Sequence, residues 1–265
     1  MNNINRLYLS YLDFAVETAY LAGRLTLGYF RGDTQTEFKE DDTPVTLADR
    51  KAEEFITHRI SSKYSDHCIV GEEFGVSPEG QNKSHKWIID PIDGTKSFIH
   101  GVPLYGVLIG LEIEGTVEVG VVYFPATDEM VAAATGHGCR LNGRPVRVSQ
   151  VTSLDRATVA FTDPASFAKY NRGREWEKIQ KAAWLCAGWG DAYGHCLVAT
   201  GKIELMLDPV MKLWDCAPFP PILREAGGCF GNWEGTSTIY GGEAMSTTND
   251  LRAEVLELFS TAQKP

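Results

Sequence analysis

Asp90 and Asp93 stand three residues apart at the end of a short apolar run, Trp87–Ile89, in the string WIIDPIDGTKSF. The run reads as a buried strand. Pro91 lacks the N–H that ladder pairing needs, so the strand is expected to stop at Asp90 and leave both carboxylates at its tip. Close anions raise each other's pKa unless a cation or a shared proton intervenes. Oxygen-only donors at this spacing suit a hard divalent ion such as Mg2+. The N–H groups of Gly94 and Thr95, in the turn that follows, are placed to cradle an anion beside that metal. Metal and anion cradle together imply phosphate chemistry. The same letters also make a good turn, which alone would account for their Asp, Pro and Gly.

This stretch resembles the first signature of the inositol monophosphatase family, a group of Mg2+-dependent, lithium-sensitive phosphomonoesterases. The string WDCAPFPPILREAGG at Trp214–Gly228 resembles the second signature, and GEE at Gly71–Glu73 resembles a third metal-site element. The resemblance runs from the first helix to the last, in the family's order. It implies an α/β fold, a layered αβαβα sandwich of the inositol monophosphatase and fructose-1,6-bisphosphatase type. An α+β metal-binding domain would span 1–149, and an α/β domain over 150–265 would complete the cleft.

Carried over residue by residue, the resemblance places one ion on Glu72, Asp90 and the carbonyl of Ile92. A second lies between Asp90, Asp93 and Asp215, and the family admits a third, weaker ion near Glu72. Phosphate would rest against Asp93, Gly94 and Thr95. Asp49 falls in a VTxxD motif whose carboxylate is expected to bond the Thr95 hydroxyl, so that Asp49, Thr95 and Glu72 act on the attacking water. Asp49 also follows Thr46 at capping-box spacing, and capping alone would explain it. Lys39 matches a family lysine near the phosphate.

Substrate choice is expected in the second half. Asp208 stands seven residues before Asp215, where sugar-binding members of the family carry a glutamate. The string GWGDAYG at Gly188–Gly194 falls where inositol-hydrolysing members carry small residues, and Trp189 and Asp191 depart from that pattern. Two carboxylates, Asp191 and Asp208, suit a cationic alcohol better than a neutral polyol. WGDAYGH resembles the histidinol-phosphate phosphatase branch, which implies L-histidinol phosphate as substrate, with myo-inositol monophosphate next. Asp191 is equally a helix cap by residue type. GWGDAYG also reads as a GxGxxxG string of a dinucleotide oxidoreductase, but its spacing is not GxGxxG. A regulatory binding module on the same fold would have no use for the carboxylate set.

The elements that must position these residues follow from periodicity. Helical spacing marks residues 4–30, a second helix from Thr46, and further helices near 174–183, 191–200, 214–226 and 251–261. Strands are expected at 68–70, 104–113, 116–124, 129–134, 139–148, 158–162, 184–187 and 203–207, with one near Cys229. Prolines at 218, 220 and 221 should kink the 214–226 helix. A net charge of −10 argues against a nucleic-acid surface but not against a phosphate ester bound through metal. The six cysteines include no CxxC pair, so neither zinc nor a disulfide framework is expected. With no signal peptide or membrane span evident in the sequence, a cytoplasmic protein is expected, and the family resemblance implies a homodimer.

Overall fold

The computed structural model describes residues 3–32, 36–38, 44–77 and 82–262, so Lys39 lies outside the described residues. Helix α1 (Asn3–Leu27) buries Tyr11, Phe14, Ala15, Ala19 and Ala22, the stripe its periodicity marks. Strands β1 (Thr36–Phe38) and β2 (Pro44–Thr46) form a small antiparallel pair. Helix α2 (Leu47–Lys63) starts at the expected capping box: Thr46 Oγ1 accepts the Ala48 N–H, and Asp49 Oδ2 accepts the Thr46 N–H.

Strands β3 (His67–Gly71), β4 (Gly75–Val76) and β5 (Asn82–Asp93) follow, then the single-turn helix α3 (Thr95–Ile99). The chain continues through β6 (Gly106–Ile113), β7 (Thr116–Phe124), β8 (Glu129–Ala134), β9 (Cys139–Leu141) and β10 (Arg144–Pro145). These eight strands make one sheet, ordered β10-β9-β8-β7-β6-β5-β3-β4. Only β3 and β5 pair in parallel, and this places their C-terminal ends on the same edge.

The second half holds β11 (Thr158–Phe161), α4 (Pro164–Lys169), α5 (Gly173–Ala182), β12 (Leu185–Ala187) and α6 (Asp191–Ala199). Next come β13 (Leu205–Asp208), α7 (Leu213–Cys216), α8 (Phe219–Ala226), β14 (Gly228–Gly231), β15 (Ala244–Thr248) and α9 (Asn249–Ala262). Its five-stranded sheet is ordered β12-β11-β13-β15-β14, with β11 parallel to both of its neighbours.

Three buried clusters define the layers. Trp87, Ile89, Val107 and Val121 on one face of the large sheet pack against α1 and α2 through Phe14, Ala15, Ile56 and Ile60. Ile88, Leu108 and Val122 on the other face meet α6 and α8 through Val198, Ala199, Phe219 and Leu223. Those helices also cover Ala160, Met206 and Phe230 of the small sheet. The far face of the small sheet packs on α4, α5 and α9 through Phe167, Trp176 and Phe259. The order is αβαβα, as expected. Burying both faces of both sheets is what makes their strands read as nearly continuous apolar runs.

Three local expectations change. Strand β5 does not stop at Asp90 but continues to Asp93, with a register irregularity against β6 between the two aspartates. A bulge tolerates a proline because the ladder there asks no N–H of it. The 214–226 segment is two helices rather than one kinked helix, with Pro218 as the N-cap of α8 and Pro220 and Pro221 in its first turn. First-turn N–H groups have no intrahelical partner, so prolines are tolerated there. The junction lies against the large sheet so closely that a Cβ at Gly120 would meet Pro218 O at 2.0 Å. Strand β15 and helix α4 are additions to the expected elements.

Candidate active site

Strand β5 delivers two carboxylates and α7 a third. Oxygens of Asp90, Asp93 and Asp215 lie within 4.8 Å of one another. The parallel pairing of β3 with β5 sets Gly71 opposite Ile89, so Glu72, the next residue, arrives beside Asp90. Burial pushes the Asp90 carboxyl well above the usual range, and the charges of Glu72, Asp93 and Asp215 push it further. Asp93 is raised by burial and then by Asp191 and Asp215. Asp215 rises to about 7, chiefly through burial, although its Oδ2 accepts the Lys212 N–H at 2.8 Å. Hard oxygen donors crowded until they repel are the donor set that a divalent cation would hold together. These residues fit a metal ion.

Local hydrogen bonds fix the geometry. Asp90 Oδ1 accepts the Ile92 N–H at 3.0 Å, and Asp93 Oδ2 accepts the Ala192 N–H at 2.8 Å. The second contact ties the metal-site strand to the positive end of α6, which favours a carboxylate there. Gly94 turns the chain into α3 with φ 76°.

Asp49 and Thr95 pair differently from expectation. Asp49, 1% exposed, accepts both the N–H (2.8 Å) and the hydroxyl (2.6 Å) of Thr46. The Thr95 hydroxyl donates to the Ile92 carbonyl at 3.0 Å. Each side chain thus has a nearer partner within its own turn, and the Asp49–Thr95 hydrogen bond is not formed. The Ile92 carbonyl keeps a second lone pair for a further partner.

Beyond the trio opens a cavity of about 150 Å3. Asp93, Asp163, Asp191, Asp208 and Asp215 line it, with Lys96 the single cationic side chain of the lining among the described residues. Asp191 stands at φ 54°, with its N–H on Thr162 Oγ1 and its carboxylate close to Gly94. Burial and then Asp208 raise Asp191 to about 7, while Lys96 opposes the rise. Asp191 and Asp208 both line this cavity. Trp189 does not. It is 40% exposed and lines a separate apolar groove of about 570 Å3 with Leu104, Phe124, Tyr193 and Leu197. Gly190 follows it, packed against Thr162 as the chain turns into α6, and this sends Trp189 and Asp191 to different sides.

Glu53 is a site residue missed by the sequence reading. It is 1% exposed under the Gly71–Phe74 turn, where its carboxylate accepts the N–H groups of Glu73 (2.8 Å) and Phe74 (2.9 Å). Burial raises its pKa to about 7. A Cβ at Gly71 would lie 1.9 Å from Glu53 Oε1, so only glycine admits this clamp on the turn that carries Glu72. The available signal was spacing: Glu53 lies one helical turn after Asp49, beside the apolar stripe of α2. Lys96 and Asp163 were missed because exposed polar residues at element starts look ordinary.

The oxidoreductase reading fails on geometry. Gly188–Gly194 does link β12 to α6, but the first turn of α6 already holds Asp93 and its own Asp191 where a pyrophosphate would need positive field.

The sequence profile of the inositol monophosphatase family matches residues 8–264. The chain belongs to that family. It is 47% identical over 240 residues to the histidinol-phosphatase of Chlorobaculum parvum, covering 90% of this chain and 92% of that protein. It is 35% identical over 229 residues to the histidinol-phosphatase of Mycobacterium tuberculosis, covering 84% and 87%. The structure of the extragenic suppressor protein SuhB from Bartonella henselae superposes with TM-score 0.88 at 27% identity, covering 96% and 99%. The family is one of phosphoric monoester hydrolases and is generally metal-dependent. Among the described residues no helix is long and apolar enough to cross a membrane.

Proposed function

We propose that the chain hydrolyses L-histidinol phosphate to L-histidinol and phosphate in a Mg2+-dependent reaction. The observation that carries the substrate is the cavity beside the Asp90–Asp93–Asp215 trio, where Asp191 and Asp208 present carboxylates and Lys96 is the one cationic lining residue among the described residues. An alcohol bearing an ammonium and an imidazole would meet opposite charge there, whereas a neutral polyol would have to desolvate acids without compensation. The two histidinol-phosphatase relatives support the same choice.

Asp90, Asp93, Asp215, Glu72 and the Ile92 carbonyl would hold two or three ions. When bound, a divalent ion supplies charge against which phosphate oxygens and the departing alkoxide are stabilised, and it lowers the pKa of the attacking water. The chain's own groups orient the ester. The N–H groups of Gly94 and Thr95, in the unpaired first turn of α3, face the phosphate, and the Thr95 hydroxyl, held at Ile92 O, lies beside it. Asp49 acts behind them by fixing the start of α2 near Glu72. Asp191 and Asp208 hold the cationic end. Trp189, on the neighbouring groove, is assigned to the rim. We read residues 1–149 and 150–265 as the two domains of a cytoplasmic homodimer.

The test is phosphate release with Mg2+ from L-histidinol phosphate and myo-inositol 1-phosphate at equal concentration. A large preference for the first is expected. A preference for the inositol ester would overturn the substrate and leave the metal site standing.

A further inference from the structure

His195 is a fully enclosed polar residue that neither the metal site nor the phosphate contacts explain. It is 0% exposed, on α6 one turn after Asp191, packed against the rings of Phe219 (centroids 4.6 Å) and Phe230 (5.8 Å), which also touch each other. An apolar side chain would fill such a box without the cost of burying two ring nitrogens. Nδ1 lies 2.7 Å from Ser246 Oγ, itself buried. Nε2 has no hydrogen bond of good geometry, yet it faces Asp208 Oδ2 at 3.3 Å. Strands β13 and β15 explain the convergence: Ser246 pairs with Met206, and Asp208 is two residues further along the same face, which α6 covers.

A carboxylate only accepts, so the proton belongs on Nε2, and Nδ1 then accepts the Ser246 hydroxyl hydrogen. Asp208 has its carboxyl in a cavity shared with Asp93, Asp191 and Asp215, which repel it. Its Oδ2 stands 3.3 Å from the Nε2 of the neutral His195 ring. Resting on the substrate reading above, we propose that His195 is a positioning residue for substrate selection. It holds the Asp208 carboxylate in the cavity wall, so that Asp208 and Asp191 together receive the cationic end of the ester. Contacts of this kind are often loose in an empty site and tighten with substrate.

The test compares kcat and KM for L-histidinol phosphate and for myo-inositol 1-phosphate in His195→Met, which fills the aromatic box without a donor, and in His195→Gln, whose amide N–H reaches toward Asp208. In His195→Met, KM for the cationic ester should rise about tenfold, with the inositol ester changed less than about twofold; His195→Gln should stay within about threefold of wild type. In an Asp208→Asn background, His195→Met should add almost nothing. Equal losses on both esters, no loss on either, or additive effects with Asp208→Asn would overturn the inference. If His195→Met does not fold, Ser246→Ala, which frees the tautomer, is read in the same way, and unchanged discrimination overturns it. A wild-type enzyme without preference for the cationic ester would overturn the substrate reading and this inference together.

Discussion

Replacing Asp191 by asparagine removes the charge that the cavity wall carries in full only above about pH 7, and little else. Asparagine tolerates the left-handed backbone that Asp191 adopts at φ 54°, so the turn into α6 should survive. Its amide oxygen can still face the first turn of that helix. What disappears is attraction for a cation. Two unit charges about 4 Å apart at an effective dielectric of about 20 interact by roughly 4 kcal/mol, an upper bound for a cavity that water enters. Lys96 already offsets part of the Asp191 field, and Asp208 remains as a second partner for the substrate. A net loss of roughly 1.5–3 kcal/mol follows, which is about 10- to 150-fold in kcat/KM.

The loss should fall on KM and only on cationic substrates. L-histidinol phosphate and myo-inositol 1-phosphate carry the same phosphate, so their ratio of kcat/KM isolates the other end of the molecule. The variant should also melt no lower than wild type when metal-free, because a repulsive neighbour of Asp93 and Asp208 has been neutralised. Equal losses on both esters would refute the electrostatic reasoning and leave Asp191 as a helix-starting residue. An unchanged ratio at full activity would refute it as well.

Other outcomes follow from the same geometry. Asp93→Asn should reduce turnover by more than about a thousandfold with an unchanged circular dichroism spectrum, since the amide oxygen can still accept from Ala192; substantial activity would remove Asp93 from the metal site. Glu53→Gln should raise the Mg2+ concentration needed for half-maximal activity by about tenfold, the usual scale for a residue that orients a ligand; a Mg2+ titration that does not move would limit Glu53 to a structural role. His67 is expected to make stability fall in mild acid. Burial, then His85, lower its pKa, and its Nδ1 accepts the Trp87 indole N–H at 3.1 Å. The unfolded chain therefore takes up the proton first, and stability contributed by neutral His67 is lost as pH falls through about 6.5. Melting curves from pH 8 to 5 should show that decline, and a His67→Gln variant with the same slope would assign it elsewhere.

Much of this was legible in the sequence because the site is built from short continuous strings. WIIDPIDGTKSF and GEE each place a carboxylate directly after a buried run, and buried runs are the most readable strands. Asp215 and Asp208 came from spacing within the family pattern. What stayed hidden was set by contacts between distant segments. Nothing local to Glu53 announces that the Gly71–Phe74 turn will close over it, because the pairing of β3 with β5 decides that. The Asp49–Thr95 contact was expected from motif order, but competition from Thr46 and Ile92, each in the same turn as its partner, settles it otherwise. Trp189 and Asp191 are two residues apart yet serve different surfaces, and only the close passage of Gly190 over Thr162 separates them.

The same contacts explain why the acids can be gathered at all. Burial and mutual repulsion raise Asp90, Asp93, Asp191 and Asp215, so the metal-free fold carries an electrostatic load that grows as pH rises from about 4 toward 7. The opposing contributions come from the scaffold. The first turn of α6 donates to Asp93, Lys212 N–H donates to Asp215, and the apolar cluster around α6 and α8 joins the two sheets. Helix α6 thus packs through one face while its first-turn N–H restrains Asp93, and the N-cap N–H of α7 restrains that helix's own Asp215. Such an arrangement favours a divalent ion over a proton as the relief of the repulsion. A proton silences one carboxylate, whereas an ion held among Asp90, Asp93 and Asp215 would satisfy three at once and, on the proposed function, would leave Asp191 and Asp208 to face the substrate.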